Sequence, residues 1–160
     1  MTITLQLAKG VERNLNDYKK LGFTMEKACL YGVDTDGLIA LGYQHNDVYE
    51  LLDGSDVADL LTVYSHVAVA TTGWASPIVD DDDEANDVPP SEHKDRRRVR
   101  LVVVADKDSM ASVLRFSDEP DRIITDEGKA LGALADALME ATNRAPSAKP
   151  WDFLVGDDNE

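Results

Sequence analysis

A chain of 160 residues with 43% hydrophobic side chains is long enough to bury a core and too apolar for wholesale disorder. Its 31 acidic and 16 basic residues give a net charge of -15, which disfavours phosphate backbones and anionic membranes as partners. No apolar run reaches the roughly 18 residues of a bilayer span, and the single cysteine, Cys29, excludes a disulfide framework or a multi-cysteine metal site.

The charge is unevenly spread. Residues 31–62 hold seven acidic side chains and no Lys or Arg, residues 80–95 hold eight acids and one base, and the last nine residues add four acids. Against these stand Arg96, Arg97, Arg98 and Arg100. The first residues lack the basic start and small-residue cleavage site of a signal peptide, so the expected compartment is the cytoplasm.

Residues 1–7 alternate Thr and Gln with Ile and Leu, the period of a short strand or extended arm. From Val11 the spacing turns helical through Leu15 and Tyr18, and Lys19, Lys20 and Gly22 suit a helix end, which predicts a helix over 10–21. The apolar stretches 28–33 and 38–43 flank Asp34, Thr35, Asp36 and Gly37. The Asp-Gly pair favours a tight turn, so this reads as a hairpin, with a helix from Thr24 as the alternative. Asp47 and Glu50 have capping-box spacing at the start of an apolar helical pattern. Gly54 and Ser55 interrupt that pattern, giving one kinked helix or two short ones.

A strand over 63–72 is apolar on both faces and predicts a central position, after which residues 71–77 leave the sheet. Residues 79–95, with an acidic run at 80–84 and Pro89 and Pro90, read as a surface loop. Two further strands, 99–105 and 110–116, are joined by Asp106, Lys107, Asp108 and Ser109. A polar passage then leads to a helix capped by Thr125, with Leu131, Leu134, Ala135, Leu138 and Met139 along one stripe. The whole predicts an α+β domain over 1–145, an antiparallel sheet of about five strands with three helices packed on it, and an acidic tail over 146–160.

That predicted order is similar to the roadblock and profilin-like group of small α+β domains over roughly residues 10–142, which implies interaction modules, sensors or scaffolds. Thr72, Gly73, Trp74, Ala75, Ser76 and Pro77, with Ser91, Glu92 and His93 and the string 96–101, also resemble uncharacterised proteins of actinobacteria and their phages. That resemblance implies no activity.

No cofactor motif is present: Gly32, Gly37 and Gly42 match neither nucleotide fingerprint. His45, His66 and His93 match no zinc or hydrolase spacing, and Ser65 beside His66 on a strand would point to the opposite face, excluding a Ser–His dyad. Cys29 reads as a buried structural thiol. Trp74, Trp151, Phe153 and the arginines at 96, 97, 98 and 100 are the candidate contacts, because aromatic and Arg side chains anchor interfaces. The expected function is a non-enzymatic module that binds another protein, or itself, with no membrane partner and nucleic acid disfavoured. The alternatives are an acidic mimic of nucleic acid that blocks a basic protein, and a small metal-dependent hydrolase needing His66, His93 and acids to converge.

Overall fold

The computed structural model describes residues 2–17, 23–75, 92, 94–127 and 133–147. Its first element is a helix, α1 (Ile3–Asp17), where the alternation of residues 1–7 had predicted a strand. Seven residues fit both periods, and the longer pattern decides. Thr4, Leu5, Leu7, Ala8, Val11, Glu12 and Leu15 all face inward, at spacings of three and four. The Thr2 hydroxyl accepts from Leu5 N at 3.1 Å, as a helix-capping residue does.

Six strands follow within one antiparallel sheet: β1 (Ala28–Val33), β2 (Ile39–His45), β3 (His66–Ala75), β4 (Arg97–Ala105), β5 (Met110–Phe116) and β6 (Ile123–Glu127), in spatial order β2-β1-β3-β4-β5-β6. The 28–43 hairpin forms as read. Gly37 takes a φ of 93° in its turn, a conformation costly for any residue with a Cβ. The two-short-helix reading also holds, as α2 (Val48–Leu51) and α3 (Asp56–Leu61). The Asp47 carboxylate accepts from Tyr49 N and Glu50 N. Glu50 does not complete the box. Asp47 N donates instead to His45 Nδ1 at 2.9 Å, and His45 Nε2 lies 3.1 Å from Glu50.

Several strand boundaries differ from expectation. β3 opens at His66 rather than at Val63, and β4 at Arg97 rather than at Val99. β3 continues to Ala75 rather than leaving the sheet at 71, because Thr72, Gly73 and Trp74 keep partners in Arg100, Val99 and Arg98 on β4. Residues 123–127, read as the approach to the last helix, form β6 against β5, with Ile124 opposite Leu114. The sheet thus has six strands rather than five. The last described helix, α4, spans Ala133–Thr142 and buries Leu134, Ala135 and Leu138. With α1 to α3 it brings the described helices to four rather than three. No described helix is long and apolar enough to cross a membrane.

The sheet carries helices on both faces. Val67 and Val69 of β3 and Val103 and Ala105 of β4 join the cluster formed with α2, α3 and α4. Ala68, Ala70, Val102, Val104, Ala111 and Val113 face α1. The alternating pattern of β3 and β4 is apolar at both parities for this reason. Small side chains at 68, 70 and 111 leave room for α1 to lie close to the backbone. At Gly32 the close approach is of another kind: a Cβ there would stand 2.0 Å from the Tyr64 ring.

Candidate functional site

The four arginines at 96, 97, 98 and 100 do not form one surface patch. Strand alternation sends Arg98 and Arg100 to the α1 face and Arg97 to the other. Arg100 lies far enough in to be 2% exposed. Its Nη2 donates to Glu12 Oε2 at 3.1 Å and to Asn16 Oδ1 at 2.9 Å, and its guanidinium stacks 5.0 Å from the Phe23 ring. Glu12 also receives Arg115 in a fork, Nε to Oε2 at 2.6 Å and Nη2 to Oε1 at 2.7 Å. Two guanidinium cations therefore meet one buried carboxylate, and Arg100 Nε has no partner. Burial pushes the Glu12 carboxyl up, but hydrogen bonds and charge from Arg115 and Arg100 outweigh it and hold the group below its ordinary range.

The exposed Arg96 and Arg122 and the half-buried Arg97 and Arg98 build two aromatic stacks, one on each face at the same end of the sheet. On the α1 face the Trp74 ring has Arg96 at 4.8 Å and Arg98 at 4.9 Å, with Trp74 39% exposed. On the opposite face Phe116 has Arg97 at 3.9 Å and Arg122 at 5.1 Å. Strand pairing sets both up: Trp74 lies directly across from Arg98, and Phe116 across from Val99, two residues from Arg97. Arg97 is clamped by Asp118 and Glu119, each at 2.6 Å, and Arg122 by Glu119 at 3.3 Å. Arg98 donates a long bond of 3.4 Å to Thr72 Oγ1. A cation held over a ring face is attracted by the ring's quadrupole, which holds both guanidiniums against Trp74.

The exclusion of a Ser–His dyad is corrected. Ser65 precedes β3, so strand alternation does not apply to it, and its Oγ lies 2.8 Å from His66 Nδ1. On the far side of the ring, Nε2 lies 3.3 Å from Asp106 Oδ2. The order hydroxyl, imidazole, carboxylate is that of a hydrolytic triad, but the surroundings oppose that chemistry. Ser65 Oγ donates to Val33 O at 3.1 Å, so its hydrogen is directed to that carbonyl rather than to the imidazole that would have to take it. The Asp34 carboxylate accepts from Ser65 N at 3.1 Å, so that backbone donor is already taken and does not serve an oxyanion. Asp106 Oδ1 meanwhile accepts from Asp108 N, Ser109 N and Ser109 Oγ, the turn role its sequence position suggested. Thr4 Oγ1 lies 2.6 Å from Ser109 Oγ and 3.4 Å from His66 Nε2. The arrangement is a clasp joining α1, the start of β3 and the β4–β5 turn.

Cys29 is buried and free, as read. No group of three or more metal-ligating side chains occurs among the described residues. Trp151, Phe153, His93 and the acidic run at 80–84 lie outside the described residues. The ion cluster was missed at sequence level although a signal existed. Arg100 and Arg115 occupy strand positions whose neighbours two residues away, Val102 and Val113, are core. A charge at such a position requires a counter-charge. Its identity was hidden, because Glu12 lies 88 and 103 residues away. Comparison with known protein families, curated proteins and solved structures finds no match.

Proposed function

We propose that this chain is a non-catalytic module that binds another protein through the end of β3 and the start of β4, with Trp74, Arg96 and Arg98 as anchors and Arg97 at the border. The observation that carries this reading is Trp74 standing between two guanidiniums at the surface. Trp and Arg dominate the energetics of protein interfaces, and both pre-positioned rings and cations lower the ordering cost of binding. Arg100 belongs to the interior and supports the platform without touching the partner. The fitting partner surface carries a carboxylate, which pairs with Arg98, while an apolar group covers the indole.

Affinity capture from the native host with wild-type protein and Trp74→Ala, read by mass spectrometry, tests it. The expected result is a protein recovered with the wild type and lost with the variant, whose circular dichroism is unchanged. Recovery of nucleic acid alone would overturn the reading. So would equal recovery by both forms.

A further inference from the structure

A second surface lies at the β2 edge of the sheet. Among the described residues β2 has one neighbour, β1, so its outer backbone groups have no strand partner. Edge strands are ordinarily guarded by Lys, Pro or a bulge, and β2 contains neither Lys nor Pro. Its one irregularity is a bulge. Tyr31 pairs with Leu41 and Leu30 with Tyr43, leaving Gly42 as the extra residue. In a regular strand Leu41 and Tyr43, two residues apart, would share a face. With the bulge Tyr43 packs on the α2, α3 and α4 side while Leu41 turns to the α1 side.

On that side α1 packs over the β4 and β5 half of the sheet and leaves a groove of about 370 Å³ along β1 and β2. Leu15, Met25, Tyr31, Ile39, Leu41 and Gln44 line it. Leu41 is 55% exposed and Leu38, at the head of the strand, 53%. The surroundings are acidic. Asp34 and Asp36 stand at one end of β2, Asp47 and Glu50 at the other, and Asp53, Asp56 and Asp59 follow in and before α3, with no Lys or Arg from 31 to 62. The local field is felt within the strand, where burial and then the charges of Asp56 and Asp59 push the Tyr43 phenol up to about 12.

We infer that the β2 edge binds an extended, basic peptide segment by strand addition, seating alternate apolar side chains in the groove beside Leu41 and placing Lys or Arg against the flanking carboxylates. An unpaired edge supplies main-chain hydrogen bonds, a groove on one face selects every second side chain, and the charge selects a cation-bearing partner. A second copy paired through β2 would set two such acidic regions against each other, which the same charge opposes. The Trp74 surface uses other residues, so the two readings fail separately.

The probe is a fluorescent nine-residue peptide alternating Lys and Val, titrated by polarisation against the full chain. Leu41→Asp removes the apolar seat while adding negative charge, and Ile124→Asp makes the same charge change on β6. Saturable binding is expected, weakened at least about tenfold by Leu41→Asp and unchanged or tightened by Ile124→Asp. A peptide N-methylated at alternate residues, which cannot pair along one edge, is expected to lose binding to the wild type. Equal binding by the N-methylated peptide, or binding by Leu41→Asp as tight as wild type, would reduce the attraction to bulk charge and overturn the inference. Sedimentation of the protein alone supplies the remaining outcome: a dimer dissolved by Leu41→Asp would make the occupant a second copy and overturn the basic-peptide reading.

Discussion

Glu12 shows how far one residue carries the fold. Its single carboxylate is shared by two guanidiniums that β4 and β5 bring to the underside of α1. Removing its charge leaves the buried Arg100 and the part-buried Arg115 without a counter-charge, and such losses cost about 3–5 kcal/mol. Glu12→Gln is therefore expected to lower the urea midpoint sharply. Arg100→Met is expected to cost much less, because it leaves the forked Arg115 pair balanced one to one and removes an Nε that has no partner. Equal losses from the two variants would show that the cluster is not organised around its carboxylate. The pH dependence follows with a definite sign. The folded-state pKa of Glu12 lies below its ordinary value of 4.5, so its contribution is present above that value and is lost as pH falls through the lowered one. Acid titration of wild type is expected to show a larger loss of stability below about pH 4.5 than Glu12→Gln does, the remaining loss from Asp106 and Glu127, also held below their ordinary range, being common to both. At Gly32, where a Cβ would meet the Tyr64 ring, Gly32→Ala is expected to cost about 1–3 kcal/mol in the same urea assay, and the smaller ring-less partner of Tyr64→Ala to relieve part of it.

Among the elements, β2 carries one extra residue. Deleting Gly42 removes the bulge but leaves Leu41 and Tyr43 adjacent, so strand alternation still sends them to opposite faces, across from Tyr31 and Leu30 as before. The deletion is expected to change the urea midpoint little and, in hydrogen exchange, to leave protection in β1 and β2 as it is in wild type. Loss of protection confined to β1 and β2 would show that the bulge itself is needed for their pairing. α1 teaches a related lesson. Its first turn carries a strand-like alternation in Ile3, Leu5 and Leu7, yet Leu7, Val11 and Leu15 lie four apart and seat the helix on Ala68, Ala70 and Ala111. Seven residues do not separate the two periods, while thirteen do. β6 went unread for a similar reason, since Ile123 and Ile124 are adjacent and exposed, and only pairing with β5 makes them a strand.

For the molecule as a whole, charge is the dominant property. A net -15 repels itself in the compact state, and added salt screens that repulsion over about 10 Å at 0.1 M. The thermal midpoint is expected to rise by a few degrees, roughly one or two kcal/mol, between low salt and 0.5 M NaCl, with the buried Glu12 cluster little affected. A falling midpoint would mean that favourable ion pairs outweigh the repulsion. The amino-acid order by itself determined the α+β class, the β4–β5 hairpin, the Asp34–Gly37 turn and the two-sided burial of β3. Each of these is written in neighbours a few residues apart, where side-chain period and turn chemistry act. It also marked Trp74 and the arginines as unusual. Only the tertiary structure decided which arginine is interior, that Ser65 reaches His66, and that Leu41 and Tyr43 part company at Gly42. Those outcomes depend on strands and a helix brought together across as many as 103 positions of chain, and a local pattern carries no record of which distant group will arrive.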